Sequence, residues 1–250
     1  MTTETQDAIL GRTALNRQEL AAFLASLEDD TEEAPWMVMG DAQSWSASGF
    51  AHSLRSYARE QERPWYVAAM LPILHRRWPG WRKGQVAPDT FVAFAAQRAR
   101  TSYDVEREGT FPAFVLEVVS PSSVVRDVEG KTTLYEAQGA QECALFNPDD
   151  ALTPLRGYRR GADNLFEEWP LEGGRLYSAV LDLWLTVTDE QGQRLVQAVT
   201  PQGQLLLTPA QAEAARLQAE QRAQDAKEQV ARLRAELEQL RGTEEGRTRQ

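Results

Sequence analysis

The clearest signal in the chain is a continuous apolar run, AFVLEVV at 113–119, interrupted by a single acid, Glu117. Such a run predicts a strand buried on both faces, where an ionised side chain needs a partner. The segment SPSS at 120–123 ends it. A helical pattern over about 124–138 follows, with Ser122 or Ser123 as cap and Gly139 as the stop. A second short apolar strand at 143–146 closes on Asn147-Pro148. Strand, helix and strand over 113–147 therefore predict a parallel crossover.

Around this unit the pattern changes period. Phe50, Leu54 and Tyr57 mark a helix within 46–62, with Ser48 as cap and Pro64 as stop. Residues 65–73 and 85–94 read as strands, Pro88 standing near the start of the second, where proline is tolerated. The mixed-charge stretch 98–112 reads as a linker. Downstream, short strands at 155–158, 165–169, 181–187, 195–198 and 204–207 predict an antiparallel meander.

From Thr208 the composition shifts to strong helix formers, with Pro209 at a helix-start position. A heptad seam runs through Ala212, Arg216, Ala219, Ala223, Ala226, Val230, Leu233, Leu237 and Leu240, apolar over its last two heptads only. This predicts an exposed helix with partial coiled-coil character. A homodimer through it and a lone helix braced by pairs such as Glu228 with Arg232 both remain open. The expected organisation is an acidic extension at 1–48 with one short helix (Leu20, Phe23, Leu24, Leu27), a core at 49–207, the helix at 208–241 and a disordered tail at 242–250.

Composition narrows the function classes. The chain has 250 residues, 42% hydrophobic and 26% charged, which is globular composition. Its apolar runs fall short of the ~18 residues needed to cross a bilayer, and MTTETQDAIL lacks a signal-peptide pattern, so a cytoplasmic protein is expected. With one cysteine, Cys143, and two histidines, His52 and His75, neither an internal disulfide nor a Cys/His zinc framework can form. Any metal must be held mainly by carboxylates. The net charge of −10 argues against a basic nucleic-acid surface, yet 49–110 carries 10 basic against 6 acidic residues. Arg55, Arg59, Arg63, Arg76, Arg77, Arg82, Lys83, Arg98 and Arg100 either face phosphate or form a solvated face interleaved with Glu60 and Glu62.

Three residues carry candidate chemistry. Glu117 is a carboxylate in an apolar strand, Asp89 follows Pro88 at a second strand's start, and Lys131 is the only lysine between 84 and 226. Two carboxylates and an ammonium are the minimum kit for Mg²⁺-assisted phosphodiester hydrolysis. The plainer alternative is a structural ion pair between Glu117 and Lys131.

The ordered series PDTFVAF, FVLEVVSPSS, RDVEGKTTLYEAQGAQECALFNP, LRGYRR and GRLYSAVLDLWL closely resembles the Uma2-like endonucleases, over roughly 49–207. That resemblance implies an α/β, restriction-endonuclease-like core of the PD-(D/E)XK type: a mixed sheet flanked by helices, with antiparallel C-terminal strands. It implies Asp89 and Glu117 as ligands of Mg²⁺ or Mn²⁺, the Val118 carbonyl as a further ligand, and DNA as substrate. A strict E-x-K pattern would put lysine at 119, where Val119 stands. The family instead supplies it from the next helix in a D-x-x-x-K-x-x-x-Y run, matched by Asp127, Lys131 and Tyr135. His52 resembles a family histidine near the site, and a plain helix-face histidine is the alternative. Ser120 and Ser122 stand where they could bond phosphate; capping explains Ser122 as well. The function expected is a metal-dependent DNA endonuclease. A catalytically silent nuclease-fold scaffold acting through its C-terminal helix is the rival.

Overall fold

The computed structural model describes residues 41–75, 85–119, 125–190 and 192–247. The helix expected around Leu20, together with Arg76, Arg77, Arg82, Lys83 and the serines at 120, 122 and 123, lies outside them. Two compact units divide between Leu206 and Leu207.

The first unit is mixed α/β. Its main sheet has the order β1 (Tyr66–Ala69), β4 (Thr90–Ala93), β6 (Phe114–Val118), β7 (Glu142–Phe146), β8 (Leu155–Arg160) and β9 (Phe166–Glu168). Within this sheet, among the described residues, only β6 and β7 pair in parallel, with Val115 opposite Cys143, and α3 (Val125–Gln138) connects them. Gly139 ends α3 at φ 101°, a left-handed position that glycine takes without a Cβ penalty, and the Ala140 amide bonds back to the Tyr135 carbonyl at 2.9 Å.

Alternation along β6 divides the core. Phe114, Leu116 and Val118 face one side, where α1 (Asp41–Glu60) lays down Ala47, Phe50, Ala51, Leu54 and Ala58, a helical stripe. A second, antiparallel sheet of β10 (Leu176–Ser178), β11 (Leu183–Glu190) and β12 (Gln193–Val199) joins the same cluster through Leu183, Leu185, Val196 and Ala198. Val115 faces the other side with Phe91, Cys143, Tyr66, Tyr103 and Tyr135 of α3. Glu117 has the parity of Val115 and so points toward α3.

Several boundaries differ from the sequence reading. The 65–73 strand is two, β1 and β2 (Ile73–Leu74), because Met70 adopts φ 52° and Pro72 offers no amide. The 85–94 strand splits at Pro88 into β3 (Gln85–Val86) and β4, which belong to different sheets. The expected linker contains β5 (Tyr103–Asp104) and a short α2 (Val105–Glu108), anchored by the fully buried Tyr103. Asp104 caps α2 by accepting the amides of Glu106 and Arg107. The predicted meander is also two structures, since β8 and β9 extend the main sheet while β10 to β12 form their own. Ser48 lies inside α1, which begins at Asp41.

The second unit is one helix, α4 (Pro209–Arg247), whose described side chains are almost all exposed. It runs beyond residue 241, where a tail was expected. Gly242 and Gly246 each cost about 1 kcal/mol, and an established helix propagates without a new nucleus. Among the described residues no helix is long and apolar enough to cross a membrane.

Candidate active site

The β4–β6 register sets Thr90 against Leu116 and Phe91 against Val115. One step further along that register, just before the start of β4, Asp89 stands across from Glu117. Two features hold the Asp89 turn in place. The Met70 amide donates to the carbonyls of both Pro88 and Asp89, each at 3.2 Å, and Met70 takes its positive φ to do so. The Asp89 carboxylate in turn accepts the Val118 amide through Oδ2 at 2.6 Å.

Glu117 accepts two side-chain bonds. Tyr135 donates its hydroxyl to Oε1, and Lys131 approaches Oε2 at 3.3 Å. The donors are four residues apart on α3, the spacing that puts them on one helix face. Tyr135 is fully buried and Asp89 and Glu117 nearly so, while the Lys131 side chain keeps 23% of its surface open to solvent.

Burial is the main cause that pushes the Glu117 carboxyl up to about 7, and the negative charge of Asp89 adds to it. The Lys131 ammonium and the Tyr135 hydroxyl offset part of this. Burial likewise drives the Tyr135 phenol well above its ordinary value, with the Glu117 charge second. The arrangement is thus two buried carboxylates that repel one another, with one cation at their open side. Such a group is relieved by a divalent ion.

The donors fit a hard cation. Both side chains supply oxygen, and a carboxylate has about four lone-pair directions, so one amide bond does not exhaust Asp89. Magnesium commonly takes one or two carboxylates and keeps several waters. Among the described residues no group of three or more His, Cys, Asp or Glu gathers.

Of the residues singled out from sequence, Asp89, Glu117, Lys131 and Tyr135 come together, with the Val118 backbone beside them. His52 does not join them. It is exposed on α1, the helix that covers the opposite face of β6. Ser120 lies outside the described residues, as does the side chain of Asp127. Met70 was missed; it stands in the apolar sequence AAMLP at 68–72, which gives no sign of a positive φ.

Among the described residues, the basic strip is largely engaged in structural bonds. Arg63 pairs with Asp182 at 3.3 Å, and the Arg55 Nε donates to the Val67 carbonyl at 3.0 Å. Arg100 makes a two-pronged pair with Glu108, both bonds at 3.0 Å, and its guanidinium lies 3.9 Å from the Tyr66 ring centre. Arg98 shares the same glutamate.

No curated protein matches the chain. Among solved structures it is similar to a putative nuclease belonging to DUF820 from Anabaena variabilis, with 15% identity, 54% of this chain and 75% of that chain covered, and a TM-score of 0.40. The family model described as "Uma2: Putative restriction endonuclease" matches residues 30–188, a span that includes Asp89, Glu117, Lys131 and Tyr135 and most of the chain. The chain therefore belongs to the Uma2 family.

Proposed function

We propose that the protein is a metal-dependent endonuclease that hydrolyses DNA phosphodiester bonds, with residues 49–207 as the catalytic part and 1–48 as an extension. The observation that carries the reading is the pairing of two buried, mutually repelling carboxylates at one sheet end with the half-buried ammonium of Lys131.

Asp89 and Glu117 hold Mg²⁺ or Mn²⁺ in this reading. The Val118 carbonyl, at the same strand end as the amide that meets Asp89, is a further ligand. A bound divalent ion supplies Lewis-acid polarisation of the phosphate and acidifies a water. Lys131 orients the attacking water and balances charge that builds on the phosphoryl oxygens. Tyr135 fixes the Glu117 carboxylate from its buried side, so the acid does not swing away when Lys131 turns to substrate. The Met70 amide holds the Asp89 turn. The same reading makes DNA the substrate, the cytoplasm the location and a second copy, joined through α4, the protein partner.

Supercoiled-plasmid nicking in Mg²⁺ tests this. Asp89→Asn, Glu117→Gln and Lys131→Met should each lower the rate about 100-fold or more. Nicking that continues undiminished in Asp89→Asn and Lys131→Met overturns the assignment.

A second reading, a silent nuclease-fold scaffold, draws on the missing third acid among the described residues and on arginines already occupied by Glu108 and Asp182. Titration calorimetry separates the two. An endonuclease binds Mg²⁺ with a heat that disappears in Glu117→Gln, and a scaffold shows no such heat.

A further inference from the structure

Self-pairing through α4 leaves the direction of the pair undetermined, and the helix sequence contains that information. With the seam at positions a (Arg216, Ala223, Val230, Leu237) and d (Ala212, Ala219, Ala226, Leu233), alanines occupy the N-terminal half and large aliphatics the C-terminal half. Val230, Leu233 and Leu237 are 48%, 52% and 58% exposed, an apolar stripe uncovered in the single chain.

In a parallel, in-register pair each residue meets its own copy. Ala219, Ala223 and Ala226 then make three consecutive layers of alanine alone, which are underpacked beside the wide Leu233 and Leu237 layers. Arg222 at g would also face Lys227 of the second copy at e, a like-charge contact.

Reversing the second helix removes both faults. Ala219 meets Leu237 of the second copy, Ala223 meets Leu233, and Ala226 meets Val230. All three pairs are symmetric about residue 228, so one register gives each of these three layers one small and one large side chain, while the outermost layer sets Arg216 against Leu240. The flanking positions agree with that register. At e, Glu220 meets Arg234 of the second copy; at g, Arg222 meets Glu236; both pairs centre within one residue of 228. By symmetry each contact occurs twice. The single like-charge meeting is Lys227 with its own copy beside the axis.

We infer that α4 forms an antiparallel two-helix coiled coil with a second copy of this chain, centred on Glu228. The inference rests on the self-pairing part of the proposed function and not on nuclease chemistry. The Pro209 ends of the two helices, where each core is joined, lie at opposite ends of the pair, roughly 60 Å apart at 1.5 Å per residue.

Sedimentation equilibrium of the full chain, combined with engineered cysteines, tests this against the wild type as background, whose Cys143 is buried. Expected are a dimer mass, a disulfide-linked dimer when Ala223→Cys and Leu233→Cys proteins are mixed under oxidant, and none from Leu233→Cys alone. Arg234→Glu should raise the dimer dissociation constant about tenfold, and the Glu220→Arg/Arg234→Glu protein should return to within about threefold of the wild type. A monomer mass overturns self-pairing and leaves the nuclease reading standing. A dimer in which Leu233→Cys links to itself, or in which the double charge swap fails to recover, keeps self-pairing and overturns the antiparallel register.

Discussion

Two buried glutamates sit on adjacent parallel strands, Glu117 on β6 and Glu142 on β7, and burial alone does not tell them apart. Their partners do. Glu142 accepts the Ser178 hydroxyl and the amides of Ala179 and Val180, at 2.8 and 3.2 Å, so it ties β7 to the turn after β10. Glu117 instead meets an ammonium, a phenol and the field of a second carboxylate, a setting that ordinary packing does not require. Tyr135→Phe should therefore destabilise the protein by about 1–3 kcal/mol in urea unfolding, because Glu117 loses a buried donor. Unchanged stability would mean the phenol does not hold the acid. A different carboxylate contributes acid-sensitive stability. The hydrogen bonds from Arg100 first, then Arg98, hold Glu108 down to about 2. A native value below the ordinary 4.5 contributes stability that is complete above about pH 4.5 and lost as pH falls toward 2. Glu108→Gln should cost about 1–2 kcal/mol at pH 7 and progressively less as pH falls through about 2. A gap between the two proteins that stays constant from pH 7 to pH 2 contradicts this account.

Elements were legible where a single period ran unbroken. The β6–α3–β7 unit matches its sequence pattern to within a residue at each end, because an apolar run, a helical pattern and Gly139 all punctuate the same places. Asp89 and Glu117 were legible for a related reason, since charge in or beside apolar strands stands out, and Lys131 because it is the only lysine between 84 and 226. What the pattern could not carry was partnership. Residues 155–160 and 183–190 alternate alike, yet β8 pairs with β7 and β11 with β10 and β12, a choice made by long-range contact. Gly157 shows how close that contact is. A Cβ there would stand 2.8 Å from Trp169 Cε3 and 3.1 Å from the Cys143 carbonyl oxygen. Gly157→Ala should cost about 1–3 kcal/mol and perturb the Trp169 ring, whose Nε1 donates to the Tyr177 carbonyl. Guanidinium unfolding followed by tryptophan emission measures both effects, and a native-like midpoint would show that β8 and the ring can separate cheaply.

At the scale of the whole molecule, charge opposes the proposed substrate. The chain carries −10, DNA is a dense polyanion, and the described arginines of the basic stretch are mostly paired with carboxylates or backbone carbonyls. A conventional DNA-binding protein neutralises phosphates with open lysines and arginines and loses affinity steeply as salt rises. Here the long-range term has the other sign. At 10 mM salt the screening length is about 30 Å and the molecule's own field reaches the duplex; at 0.1 M it is about 10 Å and only local contacts remain. The nicking rate at fixed, saturating Mg²⁺ should therefore stay level or rise as NaCl goes from about 10 to 100 mM. It should fall only at higher salt, when contacts beside Lys131 are themselves screened. A rate that drops by an order of magnitude over the first interval would show that an open basic surface dominates recognition. The residues to test next would then be Arg76, Arg77, Arg82 and Lys83, which add four positive charges between β2 and β3.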